Sequence, residues 1–130
     1  MFEDVLRIAT ETGDRFSQAA AYHFLGNVAF NERRDDESRR FHTLALEISR
    51  HDGDHQGAAT SLGGIAYVDF AEGDLEGARQ KWDAAIDAYE AAEMVEAARS
   101  LRDRATDLLE GRVVLETVVH RVAATPPRPA

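Results

Sequence analysis

Apolar residues recur along this chain at the three- and four-residue spacing of an amphipathic helix, in stretches separated by short polar breaks. The spacing predicts a helix over 2–12, carrying Phe2, Val5, Leu6, Ile8 and Ala9. A second covers 15–31, with Ala19, Tyr22, Leu25, Gly26 and Ala29 inward, and a third covers 36–50, with Phe41, Leu44, Ala45 and Ile48 as its stripe. A fourth, 55–72, presents Ala58, Leu62, Ile65, Ala66 and Phe70, and a fifth, 75–91, presents Leu75, Ala78, Trp82, Ala85, Ile86 and Tyr89. The sixth, 94–110, sets Met94, Ala98, Leu101, Ala105 and Leu108 against a face of Glu96, Arg99, Asp103 and Arg104. One apolar and one charged face suit the last helix of a stack, which shields the layers beneath it from water.

The breaks have their own chemistry. Gly13-Asp14, Gly53-Asp54 and Gly73-Asp74 each place a glycine where a helix ends in the left-handed conformation and an aspartate where the next one begins. Residues 32–36, ERRDD, form a charged turn instead. Gly26 falls inside a helix, where it costs ~1 kcal/mol against alanine. That cost implies another helix packed closely against it.

The chain can be laid on itself at one fixed shift: Gly13-Asp14 falls on Gly53-Asp54, Ala19 on Ala59, Phe30 on Phe70, Ala45 on Ala85 and Leu46 on Ile86. A fixed period of this size marks a repeat protein, in which each helix pair buries its apolar face against the next. The fold class expected is all-α, antiparallel helix pairs stacked over residues 1–111. The first helix reads as the second half of a repeat, so the chain is either a fragment of a longer array or begins with a capping half-repeat. Residues 112–123, rich in valine, have a four-residue recurrence that favours a short helix, against the β-branched preference for strand. Residues 124–130, ATPPRPA, are expected to be disordered.

Composition narrows the class. The chain has 130 residues, room for one domain, with 44% apolar and 30% charged residues. No apolar run approaches the ~20 residues of a membrane span, so no membrane partner is expected. The absence of cysteine removes thiolate zinc sites and points to a reducing, cytoplasmic setting. The net charge is −9, and residues 112–130 carry Arg112, Arg121 and Arg128 against Glu116, so the repeat region is more acidic still. Such a surface repels phosphate backbones and disfavours nucleic acid. Fourteen of the fifteen basic residues are arginine, a usage in keeping with a GC-rich genome.

The repeated positions resemble the tetratricopeptide repeat, in the longer-period variety found in kinesin light chains and bacterial multidomain regulators. Tyr22, Leu25-Gly26, Ser38, His42 and Ala45 carry the resemblance in the first copy, and Leu62, Ile65-Ala66, Ala78, Trp82 and Ala85 in the second. Departures are Asp69 where tyrosine is common, His42 where an aromatic is expected, and Arg33-Arg34 for Gly-Asp. The resemblance covers residues 2–110 and implies a short right-handed solenoid that binds a peptide or partner-protein segment in a concave groove, as part of a bacterial regulatory protein. It implies groove positions at His23, Asn27, Phe30 and Asn31 in the first copy and Thr60, Tyr67, Phe70 and Ala71 in the second. The lysines that clamp a carboxylate in chaperone-binding members are absent. No cofactor is implied.

Other readings are weaker. His51, Asp52, Asp54 and His55 could be read as metal ligands, but Gly53 breaks the helix between them, and the commoner reading is a solvated turn. No serine stands in a nucleophile elbow and no glycine loop cradles phosphate, so an enzyme is not expected. The alternative to peptide binding is self-association as a homodimer, through the array ends or the valine-rich 112–123 segment.

Overall fold

The computed structural model describes residues 2–111. Among them lie six helices and no strand: α1 (Phe2–Thr12), α2 (Arg15–Asn31), α3 (Asp35–His51), α4 (His55–Ala71), α5 (Leu75–Ala91) and α6 (Val95–Leu109). Helices α2 to α6 start at Arg15, Asp35, His55, Leu75 and Val95, an even spacing, so two helices and two turns make one period of the repeat. The expected helix at 112–123 and tail at 124–130 lie outside the described residues.

One turn geometry, used five times, sets this spacing. At Gly13, Arg33, Gly53, Gly73 and Glu93 the backbone takes a positive φ, between 59° and 85°. In each turn that residue's N–H bonds back to the carbonyl three residues earlier, and the following N–H to the carbonyl five residues earlier. Arg33 N to Phe30 O is 3.1 Å and Arg34 N to Ala29 O is 2.8 Å; Gly73 N to Phe70 O is 3.0 Å and Asp74 N to Asp69 O is 2.9 Å. This pair of bonds satisfies the last carbonyls of the ending helix. The residue after the left-handed one is also the N-cap of the next helix. Asp14, Asp54 and Asp74 accept there from the N–H of Ser17, Gly57 and Gly77, whereas Arg34 and Met94 offer no side-chain cap. Turns this short reverse the chain, so consecutive helices pack antiparallel, and α2 additionally touches α4.

The core follows from the apolar stripes. Leu46, Leu62, Ile65, Trp82, Ile86, Leu101 and Leu108 form one continuous cluster with intervening alanines. Trp82 is 1% exposed, with the rings of Tyr67 and Phe70 at 5.4 and 5.8 Å. Leu75, expected inward, is 48% exposed. It is the first residue of α5, and side chains there lean back past the helix start instead of onto the core.

Polar groups are buried where the first copy departs from the second. His42, the counterpart of Trp82 one period earlier, is 1% exposed. Ser38 donates its hydroxyl to the Gly26 carbonyl at 2.8 Å, tying α3 to α2. Asp69, 5% exposed, accepts from Arg39 at 2.9 Å and faces Lys81 at 3.8 Å, joining α4 to the helices on either side.

Candidate groove between α2 and α4

The first helices of the two complete pairs, α2 and α4, face each other with α3 behind them. Small residues on all three, Ala19 and Ala20 on α2, Ala45 on α3 and Gly57 on α4, leave a hollow of 310 Å³ between them. Phe16 and Phe24 line it from α2, Gln56 and Thr60 from α4, Ser49 from the last turn of α3 and Asp54 from the N-cap of α4. Phe16 is 74% exposed and Phe24 51%. Large aromatic surface beside an apolar hollow is what an interaction site presents to a partner.

His23 and Thr60, two of the expected groove residues, line the hollow. Asn27 is exposed, one turn further along α2, with its amide nitrogen 3.3 Å from His23 Nε2. Asn31 is exposed at the end of α2, away from the hollow's lining. Phe30 is 9% exposed and belongs to the core. Tyr67 and Phe70 are half-buried against Trp82, and Ala71 is half-buried at the end of α4. Of the expected groove residues, His23 and Thr60 line the hollow, Asn27 stands beside His23, and the rings of Tyr67 and Phe70 lie against Trp82.

Phe16 and Phe24 were missed by the sequence reading. Both fall off the stripe of Ala19, Tyr22, Leu25, Gly26 and Ala29, and a bulky aromatic on the polar side of an amphipathic helix is itself the signal.

The wall behind the groove holds two imidazoles. The rings of His23 and His42 lie 5.0 Å apart, and neither Nδ1 has a hydrogen-bond partner among the described residues. Burial lowers the pKa of His23. Burial, with His23 as the lesser cause, brings that of His42 down to about 4. Both are therefore neutral near pH 7, in keeping with an apolar wall.

Three of the four residues weighed as metal ligands, His51, Asp52 and Asp54, are otherwise engaged. Asp52 accepts from Arg15 Nε at 2.9 and 3.0 Å and contacts His51 Nδ1 at 3.0 Å. The hydrogen bond from His51, then those from Arg15, hold its carboxyl below the usual range. Asp54 caps α4. Among the described residues, no group of three or more acidic or histidine side chains is gathered as a metal site.

A tetratricopeptide repeat family model matches residues 17–93, from the first turn of α2 through the turn after α5. The chain belongs to the tetratricopeptide repeat family. No curated protein and no solved structure matches it. Tetratricopeptide repeats are in general non-catalytic scaffolds for protein–protein interaction, and the matched span contains both sides of the groove, α2 and α4. No helix among the described residues is long and apolar enough to cross a membrane.

Proposed function

We propose that this tetratricopeptide repeat unit receives a peptide or partner-protein segment in the groove between α2 and α4, as part of a bacterial regulatory protein acting in the cytoplasm. The observation that carries the reading is the 310 Å³ hollow walled by the exposed rings of Phe16 and Phe24. Burying two such rings in a partner removes apolar surface at roughly 25 cal/mol per Å². His23, Asn27 and Thr60 supply polar groups along the same face, and a side-chain amide both donates to and accepts from a peptide backbone.

The test is a Phe16→Ala, Phe24→Ala double variant. Affinity capture with the wild-type chain identifies bound proteins, and each candidate segment is then titrated as a synthetic peptide. A genuine groove ligand binds the wild type and loses at least tenfold with the double variant, roughly one hot-spot side chain's worth. Undiminished affinity places the partner on another surface.

Self-association is the second reading, favoured by Ile8, which is 53% exposed on the terminal helix α1. A homodimer through that end is converted to monomer by Ile8→Arg in light scattering. A wild-type chain that is monomeric at high concentration removes it.

A further inference from the structure

The three aspartate caps are built alike but end differently. At Asp14 one carboxylate oxygen accepts the Ser17 N–H at 3.1 Å and the other accepts the Ser17 hydroxyl at 2.7 Å. At Asp54 the corresponding position is Gly57. Its N–H takes Oδ1 at 2.9 Å, and Oδ2 has no hydrogen bond or ion pair among the described residues. A Cβ on Gly57 would lie 2.4 Å from Asp54 Oδ2 and 2.5 Å from Ser49 Oγ, so the bare backbone of Gly57 lets both oxygens close in on the same spot at the edge of the hollow. Asp74 and Gly77 repeat that geometry, but neither lines the α2–α4 hollow, whereas Asp54, Ser49 and Gly57 all do.

The hollow therefore has an apolar body with exposed aromatic rings, and a polar corner of carboxylate and hydroxyl oxygen. Among the described residues, no lysine or arginine lines it. The guanidinium of Arg15, at the start of α2, is already bound to both oxygens of Asp52. The positive end of α4 amounts to about half a charge and offsets only part of the Asp54 carboxylate. The net charge of −9 adds a long-range field that draws cations.

We propose that the occupant of this hollow is a basic side chain, arginine or lysine, of the partner segment. Its methylene stem lies along the apolar body, its cationic head reaches Asp54 Oδ2 and Ser49 Oγ, and the rings of Phe16 and Phe24 add cation–π attraction. An acidic or phosphorylated segment meets the Asp54 charge and is rejected. This inference rests on the groove reading and adds to it the chemistry of the ligand.

Asp54→Asn is the discriminating variant, because asparagine caps a helix as well as aspartate and removes only the charge. The full-length ¹⁵N-labelled chain is titrated with acetyl-Ala-Ala-Xaa-Ala-Ala-amide peptides in which Xaa is Arg, Lys, Leu or Glu. The Arg and Lys peptides are expected to shift the Gly57 and Thr60 amides, to weaken with added salt, and to bind Asp54→Asn roughly tenfold less tightly, the loss of one ion pair and its hydrogen bond. The variant should melt with the wild type. A Leu peptide that binds as tightly as Arg, or an Asp54→Asn variant that binds Arg unchanged, overturns the basic occupant and leaves the groove standing. If no peptide shifts these amides, both the occupant and the groove reading fall.

Discussion

His42 of α3 lies against the bare backbone of Gly26 in α2, so close that a Cβ on Gly26 would stand 2.7 Å from its Nε2. The other face of the imidazole meets Gly64 of α4, where a Cβ would stand 2.5 Å from Cε1. The ring is wedged between two helices and has no direction in which to give. Gly26→Ala gains ~1 kcal/mol of helix propensity, but overpacking a rigid site costs about 1–3 kcal/mol. The expected result is a net loss of up to about 2 kcal/mol in urea unfolding. Gly63→Ala is the control: a Cβ there has nothing within 4 Å, so it should stabilise by ~1 kcal/mol. A Gly26→Ala protein more stable than the wild type means that His42 moves freely.

The same wedge makes stability depend on pH. His42 has its pKa lowered from 6.5 to about 4, by burial first and by His23 second. Above pH 6.5 the ring is neutral folded or unfolded and contributes nothing to the pH slope. Between 6.5 and about 4 the unfolded chain takes up the proton and the folded chain does not, so stability falls with pH. Below about 4 both forms are protonated and this loss stops growing. At about 1.4 kcal/mol per pH unit, the loss is about 2 kcal/mol by pH 5 and about 3 kcal/mol in full. His42→Leu removes the titrating ring, so urea midpoints from pH 8 to pH 5 should fall distinctly less for it than for the wild type. Equal slopes would mean that His42 protonates in place. Asp14 and Asp52, whose pKa values are also lowered, contribute to both proteins alike, and His23, lowered by burial, is present in both, so a His23→Gln background isolates the share of His42.

Arg33 and Glu93 occupy the left-handed position that glycine fills at 13, 53 and 73. A residue with a Cβ pays roughly 1 kcal/mol to stand there. Arg33→Gly and Glu93→Gly should each raise stability by up to about 1 kcal/mol. The two sites lie in different turns, well separated along the array, and share no partner, so their effects should add. Thermal melts of the two single variants and the double variant decide it. A destabilised Arg33→Gly protein would show that the arginine side chain does more for the turn than its backbone costs.

These two residues also show where the sequence was hard to read. Gly-Asp announces a turn because only glycine enters the left-handed region without cost and aspartate caps the helix that follows. Arg33-Arg34 and Glu93-Met94 adopt the same backbone with neither signal, so the even spacing of the helices was not announced at those two turns. Helix faces were legible wherever core packing set them, as with Ala98, Leu101, Ala105 and Leu108, all buried. His42 and Asp69 looked like departures in isolation; in the fold, Gly26 and Gly64 make room for one, while Arg39 and Lys81 neutralise the other. Part of the candidate groove's lining was legible by register, at His23 and Thr60. Register alone does not tell that Tyr67 and Phe70 are half-buried. Both lie against Trp82, a neighbour in space that has only His42 as its counterpart in the first copy.

Tyr67 carries the last prediction. Its ring meets Trp82 edge-on at 5.4 Å, while its hydroxyl is buried without a hydrogen-bond partner among the described residues. The aromatic contact stabilises and the orphaned hydroxyl does the opposite, since burying an unpaired polar group costs about 1–3 kcal/mol. Tyr67→Phe keeps the ring and removes the hydroxyl, so it should be at least as stable as the wild type and up to about 1 kcal/mol more so. Tyr67→Ala removes both and opens a hollow beside Trp82, at a cost of roughly 3 kcal/mol. The two variants together separate packing from binding. If Tyr67 served a groove ligand through its hydroxyl, Tyr67→Phe would weaken partner binding with stability intact. As a brace for Trp82, Tyr67→Phe should bind like the wild type and melt no lower, whereas Tyr67→Ala should lose binding only in step with its loss of fold.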